Sequence, residues 1–112
     1  MTVRALSHND IAINLLAALS PQVRKNECRI NIAEVKVNVS PTKYRYPDLV
    51  GSCDERDQFA IDAIRYPKLI VEVLSEGTEG RDRAEKLKEF RSLASLEEYV
   101  LISSTQVGVE IY

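Results

Sequence analysis

The stretch Pro67–Ser75, PKLIVEVLS, limits the possible folds more than any other in the chain. Leu69, Ile70, Val71, Val73 and Leu74 make both faces of an extended segment apolar. A short, continuous apolar run of this kind suits a central strand covered on both sides, and hence layered α/β packing. Glu72 interrupts the run. A carboxylate taken out of water is costly unless donors or a cation meet it. Glu72 therefore either faces a wet edge or marks a place where positive charge gathers.

The flanking sequence supplies the layers. Ser7 and Asp10 read as a helix start, Ile11, Leu15, Ala18 and Leu19 repeat at helical spacing, and Pro21 closes a helix over Asn9–Leu19. From Cys28 the period becomes two. Ile30, Ile32, Val35, Val37 and Val39 alternate with polar residues as one strand with a wet face, slipping at a bulge near Ala33 and Glu34. SPTKYRYP reads as a turn, DLVGSC as a second strand, and DERDQFAIDAIRYP as an irregular loop with a short helical turn. After PKLIVEVLS, the glycines of EGTEG break the chain. Arg81–Leu93 follows as an amphipathic helix, with Ala84, Leu87, Phe90 and then Ala94 as its stripe. EEYVLIS and VGVEIY close the chain as strands. The expected fold is α/β, a mixed sheet flanked by helices, with the Arg81 helix as a crossover between parallel neighbours.

The chain has 112 residues, enough for one domain with one modest core. No apolar run approaches the roughly 20 residues of a membrane helix. MTVRALSHND lacks a signal-peptide core, so a cytoplasmic protein without a membrane partner is expected. Cys28 and Cys53 form no CxxC pair and are expected to be reduced thiols. His8 is the sole histidine, which excludes zinc chemistry built on several imidazoles; beside a helix start it reads as structural. A net charge of −2 argues against a protein that coats nucleic acid, yet allows a local basic patch working with a divalent ion.

Three groups can converge in this arrangement. Asp48 opens the second strand, Glu72 lies inside the third, and Asp82 and Lys86 stand one turn apart on the following helix. Lys86 falls on the flank of the apolar stripe, so its stem can lie along the core while its ammonium reaches the sheet. Two carboxylates on adjacent strands plus a lysine suit metal-assisted phosphodiester hydrolysis. Lys43 and Arg45, just before Asp48, are placed to meet phosphate. Taken singly, Asp48 is a turn-forming Asp after proline and Asp82–Lys86 an exposed helical ion pair.

YPD at Tyr46–Asp48, PKLIVEVLS, and T-x-x-x-D-R-x-x-K at Thr78–Lys86 together resemble the Uma-two family of restriction endonucleases, within the PD-(D/E)xK nuclease superfamily. The likeness runs from SHNDIAINL to EEYVLIS. It implies a restriction-endonuclease-like domain over residues 1–112, without the N-terminal strand and C-terminal extension of longer relatives. It also implies Mg²⁺- or Mn²⁺-dependent cleavage of DNA. By position, Asp48 and Glu72 match the acidic metal ligands, Glu34 is a weaker acidic correspondence, and Asp82 is a further candidate. The superfamily's lysine two places after the glutamate is replaced by Leu74, and Lys86 is the match on the helix. Cutting both strands needs two sites, so a homodimer is expected. The alternative reading is a catalytically inactive remnant of the same fold that binds nucleic acid or protein.

Overall fold

A computed structural model describes residues 3–32, 35–74, 81–103 and 109–112. The chain runs α1 (Val3–Lys25), β1 (Arg29–Ile32), β2 (Val37–Ser40), β3 (Lys43–Arg45), β4 (Leu49–Ser52), a 3₁₀ turn (Glu55–Asp57), β5 (Leu69–Leu74), α2 (Arg81–Arg91), β6 (Glu98–Ser103) and β7 (Val109–Ile111). The main sheet has the order β1-β4-β5-β6-β7, and β2 and β3 form a separate hairpin. Among the described strands only β5 and β6 pair in parallel, and α2 lies between them in the chain. The apolar run of β5 is thus the central strand, in the mixed α/β sheet its sequence calls for.

The two faces of β5 have different covers. Leu49, Val71 and Val73 share one face, and α1 packs against β1, β4 and β5. Val50, Ile70, Tyr99 and Leu101 lie on the other, in one core with Phe90 of α2 and Val37 of the hairpin. Glu72 is two residues from Ile70 and therefore belongs to this second face. No helix among the described residues is long and apolar enough to cross a membrane.

Several expectations are corrected. The α1 helix runs through Pro21 to Lys25. Pro21 lies on the exposed side, while Val23 continues the half-buried stripe of Ile11, Leu15 and Leu19. The helix instead closes in a Schellman arrangement: Cys28 N–H donates to the Val23 carbonyl at 2.9 Å and Glu27 N–H to that of Arg24 at 3.2 Å. Glu27 takes the left-handed φ of 58° that this cap requires. The long alternating segment after Cys28 is two strands in different sheets, β1 and β2, and the expected bulge at Ala33 and Glu34 lies outside the described residues. Lys43–Arg45, read as part of a turn, pairs with β2 as β3. On α2, Ala84 is exposed, as is Ala94 beyond its end, and the inward positions are Lys86, Leu87 and Phe90, continued by Leu93.

The cysteines are also corrected: Cys28 and Cys53 are joined in a disulfide. Arg29 pairs with Ser52 across the antiparallel β1–β4 ladder, so one step further sets Cys28 opposite Cys53, with Cα atoms 4.2 Å apart. Their separation of 25 residues hid this register. Breaking the bond by reduction or by Cys53→Ser is expected to cost about 3.5 kcal/mol of stability, the chain-entropy value for a loop of this size. Urea unfolding with and without dithiothreitol measures it.

Candidate active site

The site is built on the face of β5 that α2 covers. Glu72 is 7% exposed. Lys86 Nζ donates to Glu72 Oε2 at 3.0 Å, and the Tyr99 hydroxyl donates to Oε1 at 2.8 Å. The Lys86 side chain is 27% exposed, so its stem lies along the core while its ammonium turns to the carboxylate. Tyr99 is the bridge between core and site. Its ring is buried against Phe90, with centroids 5.1 Å apart, and its hydroxyl reaches Glu72. Each oxygen of the buried carboxylate thereby meets a donor, and one donor carries a compensating charge.

Asp48, the residue just before β4, completes the group. Leu49 pairs with Val71 in the antiparallel ladder, so Asp48 stands one step further, across from Glu72. Its Oδ2 accepts the Val73 N–H at 2.7 Å, which holds it beside β5. Asp48, Glu72 and Lys86 therefore gather at one end of the β4–β5 pair. Glu34 and the side chain of Asp82 lie outside the described residues.

Lys43 and Arg45 are placed differently from each other. Arg45 Nε donates to Glu89 Oε1 at 2.5 Å, clamping the hairpin to α2. Lys43 Nζ is 3.5 Å from Glu89 Oε2, with its side chain 68% exposed. The hydrogen bond from Arg45 holds the Glu89 carboxyl below the ordinary glutamate range, against the opposing effect of burial. A depressed folded pKa gives stability that is whole above the unfolded value and lost as the pH falls through the folded one. Glu89→Gln is thus expected to lower stability by about 1 kcal/mol at neutral pH and to lessen the further loss on acidification. Unfolding midpoints across a pH series check both effects.

Sequence reasoning missed Tyr99. The register that pairs Glu72 with Leu101 sets Tyr99 two residues earlier on the same face, but that register follows only once β5 and β6 are known to be parallel.

Among the described residues, no group of three or more His, Cys, Asp or Glu side chains is arranged to hold a metal ion. Asp48 and Glu72 nevertheless form a pair of hard oxygen donors. Mg²⁺ is commonly held by one or two carboxylates, with water and substrate phosphate completing its shell. Each Glu72 oxygen accepts one hydrogen bond here and has a second lone pair. The donor set fits such an ion.

Fold and site together define a restriction-endonuclease-like α/β domain with an acidic pair and a lysine at the edge of its central strands. The chain belongs to the Uma2 family, described as "Putative restriction endonuclease", which matches residues 1–112. It is 34% identical over 107 residues to the uncharacterized protein slr1290 of Synechocystis sp. (strain ATCC 27184 / PCC 6803 / Kazusa), covering 95% of this chain and 56% of that one. The uncharacterized protein sll1609 of the same organism is 29% identical over 110 residues, covering 95% of this chain and 62% of that one. A solved structure described as a putative nuclease belonging to DUF820, from Anabaena variabilis ATCC 29413, superposes with a TM-score of 0.66 at 15% identity. That superposition covers 95% of this chain and 66% of the other, and at this identity it speaks for the fold. The chain spans less than two thirds of the length of each of these relatives.

Proposed function

We propose that this domain is a divalent-metal-dependent endonuclease that hydrolyses DNA phosphodiester bonds. The observation carrying the reading is the buried Glu72, met by Lys86 at 3.0 Å and set across from Asp48. Family membership supports DNA as the substrate. Asp48 and Glu72 would hold Mg²⁺ or Mn²⁺, which when bound supplies Lewis-acid polarisation of a phosphoryl oxygen and a more acidic water.

The chain's own residues do the rest. Tyr99 fixes the Glu72 carboxylate by its hydroxyl, so the ligand oxygens hold their direction without rearrangement. Val73 N–H does the same for Asp48. Lys86 keeps its ammonium at the rim of the site, where it orients water and offsets the negative charge that develops on the phosphate. The apolar core beneath, with Phe90 and Leu101, keeps bulk water from the buried side of the carboxylate. On a duplex, cutting both strands would call for two such centres and hence a homodimer, in the cytoplasm where DNA is accessible.

Metal binding tests the ligand assignment directly. Titration of the protein with Mn²⁺, followed calorimetrically, is expected to show one site. Asp48→Asn is expected to weaken it at least tenfold, with unfolding little changed in the absence of metal. Undiminished binding by the variant would remove Asp48 from the ligand set.

A further inference from the structure

The sequence Lys43-Tyr44-Arg45-Tyr46 leads straight into Pro47 and Asp48. Its burial alternates: Arg45 is half-buried against Glu89 and Pro47 is buried, while Tyr44 is 46% exposed and Tyr46 61% exposed. Two neighbouring tyrosine rings thus face water on the approach to the candidate centre. Two residues of chain can separate Tyr46 from Asp48 by no more than roughly 7 Å between Cα atoms, and four separate Tyr44 from it by roughly 14 Å. A cation flanks the first ring. Lys36 Nζ lies 4.5 Å from the Tyr44 ring centroid, while Lys43 turns to the other side of the strand, towards Glu89, with its side chain 68% exposed. In a chain whose net charge is −2, positive charge here sits next to exposed aromatic faces.

The core has no use for these two rings, since neither Tyr44 nor Tyr46 is part of the cluster that Val37 and Val39 form with the sheet. Aromatic faces interleaved with cations match the chemistry of an unpaired nucleic-acid strand, whose bases stack on the rings while its phosphates meet the ammonium groups. A paired duplex hides its base faces within its own stack and offers such rings little.

We infer that Tyr44 and Tyr46 form a stacking platform for unpaired bases next to the cleaved phosphate, so that the preferred substrate is DNA single-stranded at that point. This rests on the nuclease reading for its substrate class. It goes beyond that reading in naming the strand's state and the residues that sense it. Lys36 meets the backbone, and the tyrosines discriminate unpaired from paired bases.

Binding measured in chelator, where no cleavage occurs, separates this inference from the catalytic one. Fluorescence anisotropy of the wild-type chain is expected to show tighter binding to a labelled oligothymidylate than to an abasic oligonucleotide of equal length and charge, by on the order of tenfold. Duplex DNA of the same length is expected to bind as weakly as the abasic strand. Tyr46→Ala should remove most of the preference for bases, and Tyr46→Phe, which keeps the ring, should retain it. Equal affinity for the normal and abasic strands in the wild type would overturn the platform, and that comparison needs no variant to fold. So would a preference unchanged in the Tyr44→Ala, Tyr46→Ala double variant. Base-dependent binding without metal-dependent cleavage would leave the platform standing and remove the nuclease reading. Cleavage without base-dependent binding would do the reverse.

Discussion

Lys86→Met is expected to lower the rate of DNA cleavage by on the order of 10²–10³-fold while the domain stays folded. Methionine keeps the length and apolar stem that lie along the core but removes the ammonium 3.0 Å from Glu72. The rate should fall because the ammonium that stands beside Glu72 is then missing from the charge developing on phosphate. Stability should fall as well, because a carboxylate whose side chain is only 9% exposed loses its cation. Breaking a fully buried pair costs about 3–5 kcal/mol; the partial exposure of Lys86 brings the expectation to about 2 kcal/mol. Lys86→Arg should restore most of that stability through the retained charge, but less of the rate, since a planar guanidinium cannot take the place of a compact ammonium. Single-turnover cleavage and urea unfolding of both variants separate the two effects. If Lys86→Met cleaves like the wild type, the lysine is only an ion-pair partner.

The largest loss of stability is expected at a residue outside the site. Asp57→Ala should destabilise the domain by about 4 kcal/mol, a large share of the 5–15 kcal/mol that holds a typical domain together. Asp57 is 1% exposed. Its Oδ2 accepts the Ser52 hydroxyl at 2.7 Å and the Tyr66 N–H at 2.8 Å, and its Oδ1 accepts the Arg65 N–H at 3.0 Å. Alanine leaves those donors facing a void. The Asp57 carbonyl also takes part in a second fastening, since Arg29 Nη1 donates to the carbonyls of Asp57 at 2.8 Å and Ala60 at 3.0 Å. These bonds lash the segment between β4 and β5 against the β1 edge of the sheet. A shift in the urea midpoint, with an unchanged slope, measures the cost. A loss below about 1 kcal/mol would mean that water replaces the carboxylate.

Legibility in the sequence followed the range of the interactions. The central strand, the crossover helix and the closing strands depend on local periodicity and glycine breaks, and their places in the fold match those expectations. The meeting of Glu72 with Lys86 also follows from local facts, namely an apolar strand and a helix offset one turn later. Features set by long-range register did not show. The Cys28–Cys53 bond needs β1 to lie antiparallel to β4, and the Tyr99 contact needs β6 parallel to β5. Asp57 looked like one more charge in a polar loop, because only the folded loop brings the main-chain donors of Arg65 and Tyr66 to it. Pro21 misled for another reason: a helix that continues its half-buried stripe to Val23 and ends in a closed cap tolerates the missing N–H on its exposed side.

The claim that Glu72 serves a metal-dependent nuclease centre is tested most directly on supercoiled plasmid, with wild type beside Glu72→Gln. Glutamine keeps the size of the side chain and an oxygen for Tyr99, but not the charge that would bind a divalent ion. The wild type is expected to nick or linearise the plasmid with Mg²⁺ or Mn²⁺ and to stop when EDTA is added. The folded variant is expected to leave it intact under every condition. Cleavage that survives the substitution, or a wild type inert with both ions on the plasmid and on a single-stranded DNA circle alike, would contradict the assignment.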